Sequence, residues 1–151
     1  MLEVIEGDLF DPANRFDAIA HGVNLEGVMG SGIAVEFRKR FPDMYYTYRK
    51  HCLAGRINPG RVWSHYDAKT DWTIFNCATQ VRQGANADYT LVAMAAFDML
   101  RIAKIHKIKR VGLPIIGCGI GGLEWGRVQY ILENTVGLDD EVTFVVVKKT
   151  A

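Results

Sequence analysis

One stretch constrains the fold of this chain more than any other: Leu113-Pro114-Ile115-Ile116-Gly117-Cys118-Gly119-Ile120-Gly121-Gly122-Leu123-Glu124-Trp125. It runs from an apolar strand pattern, through a cluster of glycines, into a helical pattern that begins near Trp125. Glycine lets backbone N–H groups approach an anion closely, and the N-terminus of the following helix adds unpaired donors and partial positive charge. The stretch predicts a phosphate-binding loop between a strand and a helix. Glycines that serve only tight turns are the alternative.

A second glycine cluster, Gly27-Val28-Met29-Gly30-Ser31-Gly32, has the same strand-before, helix-after setting near the start of the chain. Two such loops can hold one diphosphate. The first stretch also matches the dinucleotide fingerprint as Gly117-x-Gly119-x-x-Gly122, with Asp139 or Asp140 about twenty residues further on. That fingerprint opens a doubly wound fold and needs several later strands, but only one is predicted here. The dehydrogenase interpretation is therefore disfavoured.

The rest of the chain alternates short apolar strand patterns with amphipathic helical patterns. Pro42 is expected to end the first helix, Asp43 to cap the second, and Asn86 or Asp88 to cap the longest. Strands are predicted at 2–6, 16–21, 61–66, 72–78, 110–116 and 142–147, and helices at 33–40, 43–52, 89–107 and 125–135. This order predicts an α/β fold with a mixed, largely parallel sheet covered by helices on both faces.

Length and composition predict a single domain over residues 1–151, since 151 residues with 49% apolar content suffice for one core. No apolar run is long enough to span a membrane. Three scattered cysteines suit reduced thiols in the cytoplasm better than a disulfide framework or a metal site, and no cofactor is expected. The net charge of +1 gives no general attraction to nucleic acid.

The basic run at the end of the longest helix has a plain explanation, because cations favour the last turn of a helix. We therefore expect no nucleic acid as the main partner. The run comprises Arg101, Lys104, Lys107, Lys109 and Arg110.

Three polar residues near predicted strand ends are candidates for chemistry. Asn24 follows a buried strand, where its amide can bind a hydroxyl or orient a water, although an Asn in a loop is often a turn former. His21 can shuttle protons near neutral pH, or it can be a satisfied core histidine. Asp8 follows Gly7 at the end of the first strand and can equally be a turn residue.

Four motifs together resemble those of a macro domain: Gly7-Asp8-Leu9-Phe10, Ile19-Ala20-His21-Gly22-Val23-Asn24, Met29-Gly30-Ser31-Gly32-Ile33-Ala34 and Leu113 to Gly122. The resemblance covers nearly the whole chain. It implies a three-layer α/β/α sandwich that binds ADP-ribose.

The resemblance also implies roles for individual residues. Asp8 would accept a hydrogen bond from the adenine amino group with Leu9 beside it, and Asn24 would contact the distal ribose. The residues that would line the distal ribose and wrap the diphosphate are Gly30, Ser31, Gly32, Ile33, Gly117, Cys118, Gly119, Ile120, Gly121 and Gly122. The adenine-stacking residue is not identified by any motif, and Phe144 in the last strand is one candidate.

A histidine at position 21 resembles the subclass that contains ADP-ribose 1″-phosphate phosphatase and the terminal ADP-ribose protein glycohydrolase, as do Trp125 and Arg40-Phe41-Pro42. The glycohydrolases use a lysine that forms a covalent adduct with the sugar and an aspartate in the second loop. The corresponding positions here are Gln80 and Gly121. Glutamine cannot form a Schiff base and glycine cannot act as a base.

The sequence therefore favours an ADP-ribose 1″-phosphate phosphatase in which His21 acts as general acid/base and Asn24 positions substrate or water. The alternatives are a reader module that binds ADP-ribose or ADP-ribosylated protein without turnover, and a protein de-ADP-ribosylating hydrolase with another mechanism. The expected partners are ADP-ribose or ADP-ribose 1″-phosphate, with ADP-ribosylated protein as a further candidate and no membrane.

Overall fold

A six-stranded sheet forms the centre of the computed structural model, which describes residues 1–150. The predicted domain extends to Ala151, which lies outside the described residues. The strands are β1 (Leu2–Gly7), β2 (Ala18–Val23), β3 (Val62–Asp67), β4 (Trp72–Ala78), β5 (Arg110–Leu113) and β6 (Thr143–Lys149). Their order across the sheet is β1-β6-β5-β2-β4-β3, and only the β3–β4 pair is antiparallel.

Four helices cover the two faces of this sheet. They are α1 (Ile33–Arg40), α2 (Pro42–Leu53), α3 (Tyr89–Ile105) and α4 (Trp125–Glu133), with short 3-10 helices at Pro12–Asn14 and Val136–Leu138. One core contains Phe37 of α1 and Met44 of α2, and the other contains Met99 of α3 and Val128 of α4. This arrangement confirms the predicted three-layer α/β/α sandwich with a mixed, largely parallel sheet.

Local sequence signals explain most element ends. The Asp88 carboxylate accepts hydrogen bonds from Thr90 N at 2.7 Å and Leu91 N at 3.2 Å, which confirms one of the two predicted caps of α3. The predicted cap at Asp43 is wrong, because the N-cap of α2 is Phe41, two residues earlier, and Pro42 lies in the first turn. Proline suits this position because the first N–H groups of a helix have no intrahelical acceptor.

Several strand boundaries differ from the prediction by one to three residues, and β2 and β5 are the clearest cases. Strand β2 covers 18–23 instead of 16–21, and β5 ends at Leu113 instead of Ile116. Pro114 has no N–H to donate to a neighbouring strand, so the ladder stops before it. None of the helices described within residues 1–150 is long and apolar enough to cross a membrane.

Candidate functional site

Three loops leave the carboxyl ends of adjacent parallel strands at one edge of the sheet. We call them loop A (residues 24–32, after β2), loop B (residues 79–88, after β4) and loop C (residues 114–124, after β5). Strand β2 lies between β5 and β4, so loop A is flanked by the other two. Ligands of open α/β sheets bind at this edge, beyond the carboxyl ends of the strands.

Loop A and loop B are joined by two hydrogen bonds. The N–H of Leu25 donates to the carbonyl of Val81 at 2.9 Å, and the N–H of Gln83 donates to the Glu26 carboxylate at 2.8 Å. A third hydrogen bond joins loop B to loop C, from Ala87 N to Gly121 O at 3.1 Å. The three loops therefore form one connected rim.

Loop C presents a run of free backbone donors. Gly117 (φ +77°) and Gly122 (φ +83°) adopt left-handed conformations that reverse the chain, and Leu123 N closes the loop onto Gly117 O at 2.9 Å. Within residues 1–150, no protein acceptor faces the three successive N–H groups of Gly119, Ile120 and Gly121. Successive unpaired N–H groups before a helix make a concave anion site.

Loop A supplies a second set of donors. The N–H groups of Gly30, Ser31, Gly32 and Ile33 likewise have no acceptor in the described part of the chain, and the three residues 30–32 are exposed. Gly32 (φ +62°) is the N-cap of α1 and supplies no side-chain cap. A Cβ added to Gly32 would lie 3.3 Å from Ile120 Cγ1, so loops A and C approach each other closely. This geometry supports the prediction that both loops bind one diphosphate.

The side chain of Asn24 is fixed in one orientation by loop A. Its Oδ1 accepts from Glu26 N at 3.0 Å and Val28 N at 3.4 Å, and its Nδ2 donates to Val28 O at 2.9 Å. Its second amide hydrogen has no acceptor within residues 1–150. Asn24 therefore has one N–H group left to donate to a ligand, and a ribose hydroxyl can accept it. The amide oxygen, which could accept a proton from an attacking water, already accepts two hydrogen bonds from loop A.

His21 lies in the core and does not reach the rim. The ring is fully buried, stacks on Phe37 with centroids 3.7 Å apart, and shares a 2.7 Å hydrogen bond with Asn76 through Nε2. Burial lowers the pKa of His21 to about 4, against the opposing effect of the Asn76 hydrogen bond. The predicted acid/base role does not fit this position, because a neutral, enclosed ring cannot exchange protons with a substrate. His21 is instead a core histidine that is bonded through Nε2, while its buried Nδ1 has no hydrogen-bond partner within residues 1–150.

The resemblance to macro domains aligns Gln80 and Gly121 with the catalytic lysine and aspartate of the glycohydrolases; in the structure Gln80 is bonded to loop B, and Gly121 has no space for a side chain. Gln80 Nε2 donates to Arg82 O at 2.5 Å and Gly84 O at 2.9 Å, so this side chain holds loop B. A Cβ on Gly121 would lie 2.6 Å from Gly117 O and 2.7 Å from the Ala87 Cβ. Any side chain at position 121 would force loop C or loop B to move.

The residues expected at the adenine end are only partly exposed. Asp8 is exposed and one of its oxygens accepts from Phe10 N at 3.0 Å, which leaves the other free for a ligand. Leu9 is buried and packs in the core under α1. Phe144, the candidate for adenine stacking, is fully buried in the core under α3, so that suggestion is wrong.

Three of the five cations in the basic run pair within the chain. Arg101 contacts Asp98 at 2.8 Å, Lys104 contacts Asp139 at 2.6 Å, and Arg110 lies 3.8 Å from Glu3. Only Lys104 lies in the last turn of α3, which ends at Ile105, so the predicted explanation applies to one of the five cations, and ion pairs occupy the other two paired cations. The described residues 1–150 also contain no cluster of three or more His, Cys, Asp or Glu side chains that could hold a metal ion.

Sequence reasoning predicted helix α2 but missed its contacts with loop A. Tyr48 and Arg49 of α2 both contact this loop: the Tyr48 hydroxyl donates to Asn24 O at 2.5 Å, and Arg49 Nη1 donates to Gly27 O at 3.1 Å. Tyr48 follows the apolar spacing of α2, so the sequence alone identifies it only as a core residue. No sequence signal shows that its hydroxyl reaches a loop more than twenty positions earlier.

The sequence matches the Macro domain family over residues 20–132, and the chain therefore belongs to that family. A curated relative, the ADP-ribose 1″-phosphate phosphatase of Candida albicans, is 42% identical over 148 residues, which is 89% of this chain and 93% of the relative. The DNA ADP-ribosyl glycohydrolase of Thermus aquaticus is 31% identical over 147 residues, covering 92% of this chain.

The chain spans 33 to 40% of the length of the DNA ADP-ribosyl glycohydrolases that it matches in Mycobacterium tuberculosis and Thermus aquaticus. Among solved structures, the macrodomain of Mycobacterium tuberculosis DarG superposes with a TM-score of 0.90 at 28% identity, covering 100% of this chain and 99% of the other.

Proposed function

We propose that this macro domain binds ADP-ribose between loops A and C and hydrolyses a substituent on the terminal ribose, with ADP-ribose 1″-phosphate as its substrate. The observation that carries this proposal is the double row of unpaired N–H groups, from Gly30 to Ile33 and from Gly119 to Gly121. Their number and position suit a diphosphate. The similarity to a phosphatase along nearly the whole of both chains supports the choice of substrate.

The reaction breaks the bond between phosphorus and the sugar oxygen. A water attacks phosphorus, the sugar leaves as a hydroxyl after gaining a proton, and the products are ADP-ribose and inorganic phosphate. Backbone N–H groups of the loops stabilise the negative charge that builds up on phosphate oxygens. The Asn24 N–H holds the terminal ribose. This route needs neither a lysine adduct nor an acid at position 121, which agrees with the side chains at these positions.

The side chain predicted to move protons is not placed to do so, because His21 is enclosed in the core. General acid/base catalysis contributes about 10²- to 10⁴-fold. We therefore expect slow turnover that depends on charge stabilisation and on positioning.

Two measurements test this proposal. Titration calorimetry with ADP-ribose tests binding, and no heat at high micromolar protein would exclude every ADP-ribose function. Phosphate release from ADP-ribose 1″-phosphate tests the reaction. We expect Asn24→Ala to slow it at least tenfold and Asn134→Ala, which removes a distant amide bonded to Tyr130 O at the end of α4, to leave it unchanged. Equal rates in all three proteins would remove Asn24 from the mechanism.

A reader of ADP-ribose is the second candidate, favoured by the burial of His21, which leaves the pocket without its expected proton shuttle. A reader binds ADP-ribose or ADP-ribosylated protein through the same loops but releases no phosphate. Binding in calorimetry without turnover over hours at micromolar protein would establish this candidate over the phosphatase.

A hydrolase that removes ADP-ribose from a macromolecule is the third candidate, supported by the relatives named ADP-ribosyl glycohydrolases. It requires a mechanism without the lysine and aspartate pair. Release of free ADP-ribose from modified protein or modified DNA, faster than phosphate release from ADP-ribose 1″-phosphate, would favour it. In each case we propose a reducing compartment such as the cytoplasm, which suits the three free cysteines.

A further inference from the structure

Tyr48 is a buried polar residue behind the proposed terminal-ribose site. Its side chain belongs to α2, is fully buried, and extends toward loop A instead of toward solvent. The hydroxyl donates to Asn24 O at 2.5 Å and also lies 3.2 Å from Asn24 Oδ1. The same hydroxyl therefore faces both the backbone and the side chain of the residue expected to contact the ribose.

Helix α2 forms a wall against loop A around this contact. Arg49 Nη1 donates to Gly27 O at 3.1 Å, and the Cys52 sulfur lies 4.0 Å from Asn24 O. Gly27 has φ +81°, and a Cβ added there would lie 3.4 Å from both Arg49 Cγ and Cys52 Cβ. Loop A is thus packed closely against the helix, and Tyr48 makes the contact nearest to Asn24.

The hydroxyl of Tyr48 is a permanent donor. Burial raises the pKa of Tyr48 far above its usual range, so the group keeps its proton at any physiological pH. A buried hydroxyl is costly unless it forms a hydrogen bond, and phenylalanine would fill nearly the same volume without that cost. The hydrogen bond from this hydroxyl to Asn24 therefore explains why a tyrosine and not a phenylalanine occupies the position.

The orientation of Asn24 depends on this contact. The amide oxygen of Asn24 accepts from Glu26 N and Val28 N and lies 3.2 Å from the Tyr48 hydroxyl, whose single proton is donated to Asn24 O, while one amide hydrogen donates to Val28 O. These contacts leave a single amide hydrogen for a ligand. Without the hydroxyl, the carbonyl of Asn24 would lose a buried donor, and the loop would be free to rotate that remaining N–H away from the ribose.

We propose that Tyr48 is a positioning residue for the terminal ribose, acting through Asn24. This inference rests on the proposed function, because it requires Asn24 to contact the ribose. Because Tyr48 is fully buried, it would act on the ligand only through Asn24, so removal of its hydroxyl should affect the ribose end of the ligand and leave the adenine and diphosphate ends unaffected.

The test compares two ligands and two variants by titration calorimetry. ADP-ribose contains the terminal ribose, and ADP lacks it. We expect Tyr48→Phe to weaken ADP-ribose binding about tenfold, the loss typical of one well-placed hydrogen bond, and to change ADP binding less than twofold. Tyr45→Phe is the matched control, because Tyr45 lies beside Tyr48 with ring centroids 6.4 Å apart and its hydroxyl has no hydrogen-bond partner within residues 1–150.

The binding results distinguish a failure of the proposed function from a failure of the role proposed for Tyr48. Native protein that binds neither ligand contradicts the proposed function itself. Native protein that binds ADP-ribose, together with a Tyr48→Phe variant that binds it equally well, overturns only the role of Tyr48. Equal weakening of ADP and ADP-ribose also overturns it, because a general loss of packing would act on both ligands.

A second measurement is independent of how the variant folds. In the native protein, ADP-ribose should shift the NMR signals of the Tyr48 ring and of the Asn24 side-chain amide, whereas ADP should leave both nearly unchanged. Equal shifts with the two ligands would contradict the coupling between Tyr48 and the terminal ribose.

Discussion

The burial of His21 makes the stability of this fold depend on pH within a defined window. The pKa of His21 is about 4 in the native protein, compared with 6.5 for an exposed histidine. Below pH 6.5, His21 is therefore protonated in the unfolded chain but stays neutral in the native protein until the pH approaches 4. The free energy of unfolding has its full value above pH 6.5 and falls as the pH drops. His21 alone lowers it by about 2 kcal/mol at pH 5 and by about 3 kcal/mol at pH 4.

A variant without the titrating group isolates this contribution. Urea unfolding of native protein and of His21→Gln, followed by tryptophan fluorescence between pH 7.5 and 4, gives two stability curves. Carboxylates such as Asp139, whose pKa is lowered by the hydrogen bond from Lys104, lose stabilisation in both proteins and cancel in the difference. The difference should shrink steadily below pH 6.5. A difference that stays constant within about 0.5 kcal/mol would refute the reasoning.

The same variant tests the function of His21. At pH 7 the fully buried ring stacks on Phe37 and bonds Asn76, so ADP-ribose affinity and phosphate release should stay within about threefold of native values in His21→Gln. A variant of unchanged stability that has lost all turnover would show that His21 takes part in the chemistry after all.

Three further substitutions test the rim and the framework behind it. Gly121→Asp should weaken ADP-ribose binding at least tenfold in calorimetry without creating glycohydrolase activity, since the new Cβ collides with Gly117 O; Gly126→Ala in α4, whose Cβ meets nothing within 4 Å, is the control. Asp88→Ala should cost about 1 kcal/mol in urea unfolding through loss of the α3 cap, and Asp88→Asn much less. Gly112→Ala should cost about 1 to 3 kcal/mol, because the added methyl would lie 2.3 Å from the Phe16 ring; an unchanged unfolding midpoint would contradict this packing.

The fold could be predicted because its signals are local. Each strand is a short apolar run, each helix has an apolar stripe, and the alternation of the two requires parallel crossovers. The errors lie at boundaries where one residue decides: Pro114 ends β5 early by lacking an N–H, and Pro42 begins a helix as readily as it ends one. When the end of an element is set by one missing N–H donor, sequence patterns locate that end only to within two or three residues.

The site was predicted less completely, because side-chain position depends on packing. The glycine loops follow from composition alone, but His21 was assigned to chemistry although its neighbours at alternate positions, Ile19 and Val23, are apolar. Residues two apart in a strand share a face, so this pattern already indicated that His21 faces the core. The steric closure at Gly121 has no such signal, since it depends on Ala87 in a loop distant in sequence.

The rim has a consequence for how the protein moves. Loop B is bonded to loop A through Leu25 and Gln83 and to loop C through Ala87, so neither glycine loop can separate from its neighbours without breaking these links. Local opening is cooperative where segments share their hydrogen bonds. The rim therefore opens as one unit. A ligand that restricts the motion of one of the three loops also restricts the motion of the others.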